Sequence, residues 1–165
     1  MIILGADPGV ARLGWGAIET AGSRRFHLGH GVLTTLPGAA IETRLHHLHR
    51  GFSGLLEKYR PDVVAIEEIF FRKNVKTAIA VAEARGILLL AAAQAGARVK
   101  SLTPSAVKQG IVGWGGAEKH QVMEMVRILL GLATAPRPDD AADALAVAFV
   151  ASLDTLSSRT AAYLR

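Results

Sequence analysis

The stretch "GADPGVARLGWG" at residues 5–16 follows the apolar run "MIIL" and decides how the chain is read. Residues 2–7 are apolar, partly β-branched and short, and read as a buried strand. The strand ends on a carboxylate at Asp7, and Pro8-Gly9 turns the chain at once. Residues 13–20 and 26–35 read as two further strands, with "AGSRR" between them a turn by composition. Three strands on short turns predict an antiparallel meander. A buried strand that ends in an acid is the feature that the rest of the sequence must explain.

Working outward, the hydrophobic period changes to that of a helix. Ile41, Leu45, Leu48, Phe52, Leu55 and Tyr59 make one apolar stripe, which Pro61 ends. "DVVAIEE" is a fourth strand, again closing on acids, at Glu67 and Glu68. Residues 75–95 read as a long Ala-rich helix and residues 97–102 as a fifth strand. Thr103 and Pro104 are the N-cap and first position of a further helix. Another covers residues 118–130, and the last opens at Asp139 or Asp140. Strands joined through helices pair in parallel with right-handed crossovers. The expectation is an α/β fold: a five-stranded mixed sheet with helices on both faces, in one domain over residues 1–155, and a loosely ordered C-terminal tail over 156–165.

Composition narrows the function classes. The 165 residues fit one domain with a sizeable core. Aromatics make up only 5% of the chain, so Ala, Val, Leu and Ile must build that core. A net charge of +5 suits a polyanionic partner such as nucleic acid. There is no cysteine, which excludes disulfides and thiolate metal sites and fits a reducing cytoplasm. The N-terminus has neither a basic n-region nor a cleavage site, so no signal peptide is expected. "GILLLAAAQAGA" falls short of the roughly 20 residues that span a bilayer, and no membrane role is expected.

Parallel neighbours would bring Asp7 and Glu67 to the same C-terminal sheet edge, where open α/β sheets bind ligands. Asp140 and Asp143 are three apart and share a helix face. The small residues Ala141, Ala142, Ala144 and Ala146 let that helix lie close to the sheet. Four converging carboxylates need cations, and hard oxygen donors favour Mg²⁺ or Mn²⁺. Two such ions about 4 Å apart are the usual device for phosphodiester hydrolysis. Each acid alone has an ordinary explanation. Asp7 suits a turn, Glu68 is an alternative to Glu67, Asp139 suits an N-cap, and Asp140 complements a helix dipole. Strand alternation favours Glu67, because it must face the same side as Asp7.

The motifs "GADPGVARLGWG", "VVAIEEIFFRKN", "ARG", "SLTPSAVKQGIVGWGGAEKHQV" and "DDAADALAVA" together resemble the RuvC-type Holliday junction resolvases of bacteria. The resemblance covers almost the whole chain in order and spacing. It implies an RNase H-like fold. The implied protein is a homodimer that nicks two strands of like polarity in a four-way DNA junction, leaving 5′-phosphate and 3′-hydroxyl ends. It implies two Mg²⁺ per active site, with Mn²⁺ as a substitute, held by Asp7, Glu67, Asp140 and Asp143. It implies a branch-migration helicase of the RuvA and RuvB type as partner. Asp139 is an extra acid beside the family's D-A-A-D pattern. The resemblance also places Phe70, with Phe71 as an alternative, at the junction centre. Lys73, Lys108 and Lys119, with Arg72, fall on phosphate-binding positions, and the long helix on the dimer interface. Lys108 and Lys119 also suit a place near the scissile phosphate.

"GWGGAEK" has the glycine content to bring backbone amides close to a phosphate, with Trp114 exposed between glycines. His46 and His49 flank the first helix's stripe and lack a third ligand, so they read as surface residues. Three other functions compete. An actin-like phosphotransferase shares the sheet and first motif but needs two such domains. A YqgF-like RNase H-fold nuclease acting on RNA precursors lacks the paired acids and the "GGAEK" loop. An inactive junction-binding subunit would not keep all four acids.

Overall fold

The computed structural model describes residues 1–68 and 75–162, with side chains for 1–68 and 78–153. Five strands form one sheet: β1 (Ile2–Asp7), β2 (Arg12–Ala21), β3 (Arg24–Thr34), β4 (Val63–Glu67) and β5 (Arg98–Leu102). The helices among the described residues are α1 (Ile41–Tyr59), α2 (Val75–Gln94), α3 (Pro104–Val112), α4 (Lys119–Leu129) and α5 (Asp139–Ala162). The strand order is β3-β2-β1-β4-β5. β1, β2 and β3 pair antiparallel, and β4 pairs parallel with both β1 and β5. The expected meander and mixed sheet are both present.

Alternation along the strands splits the core in two. Ile3, Val63 and Ala65 pack with Val107, Val126 and Leu145 beneath α3, α4 and α5. Leu4, Ala6, Val64 and Ile66 pack with Leu48, Phe52 and Leu88 beneath α1 and α2. Of the α1 stripe, Leu48 and Phe52 are buried, Leu45, Leu55 and Tyr59 half-buried and Ile41 exposed, while Leu56, outside the expected stripe, is also buried. Thr103 caps α3 as its sequence suggests, its hydroxyl accepting from the Ala106 amide at 3.1 Å. The β2–β3 hairpin is tighter than "AGSRR" implied. Gly22 takes φ 59°, which glycine adopts without a Cβ penalty, and so the strands run on to Ala21 and from Arg24.

Candidate active site

Asp7 and Glu67 close β1 and β4. The parallel register pairs Ala6 with Ile66, so the two acids follow side by side on the face that α5 covers. They hydrogen-bond each other, which requires a shared proton. Burial, then the charges of Asp143 and Asp140, push Asp7 up to about 6. Burial, then the Asp7 charge, push Glu67 up to about 8, so the pair shares a proton at neutral pH.

The other two acids arrive on α5, and glycines decide how close they come. A Cβ on Gly5 would overlap the Ala144 carbonyl oxygen, and one on Gly14 the Asp140 carbonyl oxygen. These positions bring the α5 backbone directly onto β1 and β2. Ala141, Ala142, Ala144 and Ala146 are fully buried against that surface. The first turn of α5 is thereby seated over the strand ends, with Asp140 and Asp143 beside Asp7. Asp139 is not the N-cap that its sequence suggests. The Pro138 carbonyl accepts from the Ala141 and Ala142 amides, which puts Asp139 inside the first turn.

Cationic side chains compensate this cluster. Lys119, the first residue of α4, stands 2.9 Å from Asp143 Oδ2 and 3.7 Å from Asp139 Oδ2. Burial works against its charge, but the hydrogen bond and charge of Asp143 outweigh that and hold it above the ordinary lysine value. Asp143 is raised by burial in spite of Lys119. Lys108 lines the same cleft of about 190 Å³ as Glu67, Lys119 and Asp143. Arg12 Nε lies 3.0 Å from Asp140 Oδ2. Sequence reasoning missed Arg12 because its partner is far along the chain. Its place five residues after Asp7, just past the turn, was the available signal. Trp114 is exposed, as expected. Phe70 and Lys73, with Phe71 and Arg72, lie outside the described residues.

The four acids suit a hard divalent cation by donor chemistry, since every donor is a carboxylate oxygen. Asp140 Oδ2 is buried, and the Arg12 contact lacks hydrogen-bond alignment, so this oxygen has no hydrogen-bond partner among the described residues. As placed, no three such side chains among the described residues are grouped closely enough to hold an ion. Asp7 is bonded to Glu67, Asp140 faces Arg12 and Asp143 faces Lys119, so protein groups occupy the donor atoms that an ion would take.

A mixed sheet with this strand order and acids from two strand ends and a covering helix defines an RNase H-like chain. A family model described as "Crossover junction endodeoxyribonuclease RuvC" matches residues 3–151. The RuvC of Chloroflexus aggregans is 53% identical over 148 residues, covering 90% of each chain. A Thermus thermophilus RuvC structure superimposes with a TM-score of 0.87 at 37% identity, covering 96% of this chain and 97% of that one. Another, of T. thermophilus RuvC in complex with Holliday junction substrate, gives 0.86 at 35% identity over 94% and 95%. The chain belongs to the RuvC family of crossover junction endodeoxyribonucleases. The matched span includes the paired acids and the "GGAEK" loop. No helix among the described residues is long and apolar enough to cross a membrane.

Proposed function

We propose that this chain is a structure-specific endonuclease that resolves four-way DNA junctions in recombination and repair by paired hydrolytic nicks. One observation carries the reading to particular residues: Asp7, Glu67, Asp140, Asp143 and Lys119 converge at one sheet edge in a chain of the RuvC family. Asp7, Glu67, Asp140 and Asp143 are the catalytic acids and would hold Mg²⁺, two ions per site, with Mn²⁺ as a substitute. Divalent cations held there would supply an activated water and charge stabilisation for the leaving oxygen, a chemistry that leaves 5′-phosphate and 3′-hydroxyl ends.

The chain's own groups do the rest. Lys119 is positioned to exchange Asp143 for a phosphate oxygen of the DNA, and Lys108 offers a second charge in the same cleft. The Asp7–Glu67 pair must release its proton for the acids to act together. Phe70 and Lys73 are assigned to the junction centre and its backbone by the family resemblance.

The chain works as a homodimer, which places two such sites on one junction. Ile79 and Leu90 on α2 are 54% exposed, and Ala82 and Gly86 lie exposed between them. A long helix with that apolar outer side fits a partner copy better than water. A branch-migration helicase of the RuvA and RuvB type and a cytoplasmic location complete the reading.

The deciding experiment is cleavage of a synthetic four-way junction beside a linear duplex of the same sequence. The expected result is paired nicks in the junction with Mg²⁺ and none in the duplex. Equal cutting of both substrates would overturn it.

A further inference from the structure

Around the β1–β2 turn lies a second cleft, of about 490 Å³, which Lys119 does not line. The turn at residues 9–12, Arg44 of α1, Ala80 and Val81 of α2, and Asp140 form its walls. Its charged side chains are Arg12, Arg44 and Asp140. Arg12 is engaged with Asp140. Arg44 is not engaged with any acid among the described residues, yet it is held in place. Its Nε donates to Thr35 Oγ1 at 2.8 Å, and that hydroxyl donates to the Val10 carbonyl at 2.7 Å. The Thr35 amide is tied to the same turn through the Ala11 carbonyl at 3.1 Å. Nε is therefore fixed, while the two terminal nitrogens of the guanidinium have no partner among the described residues.

A planar fork with its stem fixed and its outer donors unspent matches the geometry of a phosphate group, which takes two parallel N–H bonds. The turn that anchors Arg44 is also the one that carries Asp7 and Arg12. A phosphate in this cleft would thus be placed relative to the acids by a rigid connection.

We propose that this cleft binds a backbone phosphate of the DNA that flanks the one being cut. Arg44 is its fixed ligand and Thr35 the residue that positions Arg44. The inference rests on the proposed junction-resolving function and adds a binding site that the four acids and the lysines do not supply. Arg12 is the second cation of this cleft and is paired with Asp140.

The test measures affinity for a four-way junction without divalent ion, so that nothing is cut, across a range of salt. Wild type, Arg44→Gln and Thr35→Val are compared, with Arg44→Gln keeping a donor for Thr35. Arg44→Gln should lower the salt slope by about one unit. Junctions carrying a single neutral methylphosphonate at each of the three positions on either side of the cut then locate the contact. The penalty for one of them should vanish in Arg44→Gln and shrink in Thr35→Val, because the partner charge is already gone. An unchanged salt slope with every methylphosphonate penalty intact would overturn the inference. Should wild type itself fail to prefer the junction over duplex, the functional reading fails instead.

Discussion

Asp7 and Glu67 hydrogen-bond each other at the ends of two adjacent parallel strands, one carboxyl holding the proton that the other accepts. Both are raised above their ordinary values, Asp7 to about 6 and Glu67 to about 8, first by burial. The folded chain therefore binds more protons here than the unfolded chain does. The stability from this pair is fully present below the unfolded values of 3.8 and 4.5 and is lost as pH rises through about 6 and about 8. In EDTA the Tm should fall between pH 5 and pH 9, and Glu67→Gln should flatten that fall. A Tm that rises over this range would show that the pair is not buried together.

A consequence follows for the acids one by one. Asp7→Asn and Glu67→Gln remove charge that the fold holds at a cost. Each should stabilise the metal-free protein at pH 8, on the order of 1–2 kcal/mol, or about 2–4 °C in Tm per kcal/mol for a chain of this size. The same variants, with Asp140→Asn and Asp143→Asn, should lose cutting by at least roughly a hundredfold, beyond the range typical of groups behind a metal ligand. Junction affinity should change little, since none of the four acids is among the groups proposed to contact DNA. Mg²⁺ should raise the Tm of the wild type and not that of Asp7→Asn. Calorimetry reads the stability, a junction-cleavage assay the cutting and a gel shift the affinity.

Much of this site was legible in sequence because its rules are local. Alternation along β4 put Glu67, not Glu68, on the side of Asp7, and the small residues of α5 marked a helix that lies close. The arginines were not legible. Arg12 and Arg44 owe their places to Asp140 and Thr35, and residue type alone does not distinguish such an anchored arginine from a solvated one. The glycines were half read. Gly5 and Gly14 sit in strands, where local pattern offers no reason for glycine, and only the α5 backbone lying on them supplies one.

That close approach makes the glycines testable. Gly14→Ala would drive a methyl into the Asp140 carbonyl, backbone that cannot swing aside. The start of α5 must lift, at roughly 1–3 kcal/mol, and carry Asp140 and Asp143 with it. A displacement near 1 Å costs about a hundredfold in rate, so activity should fall further than the change in Tm explains. Gly54 is the control. Nothing lies within 4 Å of a Cβ there, and it is inside α1. Gly54→Ala should be neutral or stabilising by up to about 1 kcal/mol, with full activity. Equal losses in both variants would mean that α5 is not seated on Gly14.

Lys119 and Lys108 share a cleft but should fail differently. Lys119 bonds to Asp143, and its charge lowers Asp7, Glu67 and Asp143 against the burial that raises them. Removing it leaves that burial opposed by less. Lys119→Ala should therefore raise all three carboxyls and move the acid limb of the cleavage profile to higher pH. Lys108 lines the cleft and pairs with no acid among the described residues, so Lys108→Ala should leave the pH profile in place and lower the salt slope of junction binding by about one unit. Single-turnover cleavage from pH 6 to 9, with binding measured across salt, separates the two. If Lys119→Ala changes the salt slope alone, its ion pair with Asp143 does not control the acids. If both variants shift the pH profile equally, Lys108 also acts on the acids and not only on phosphate.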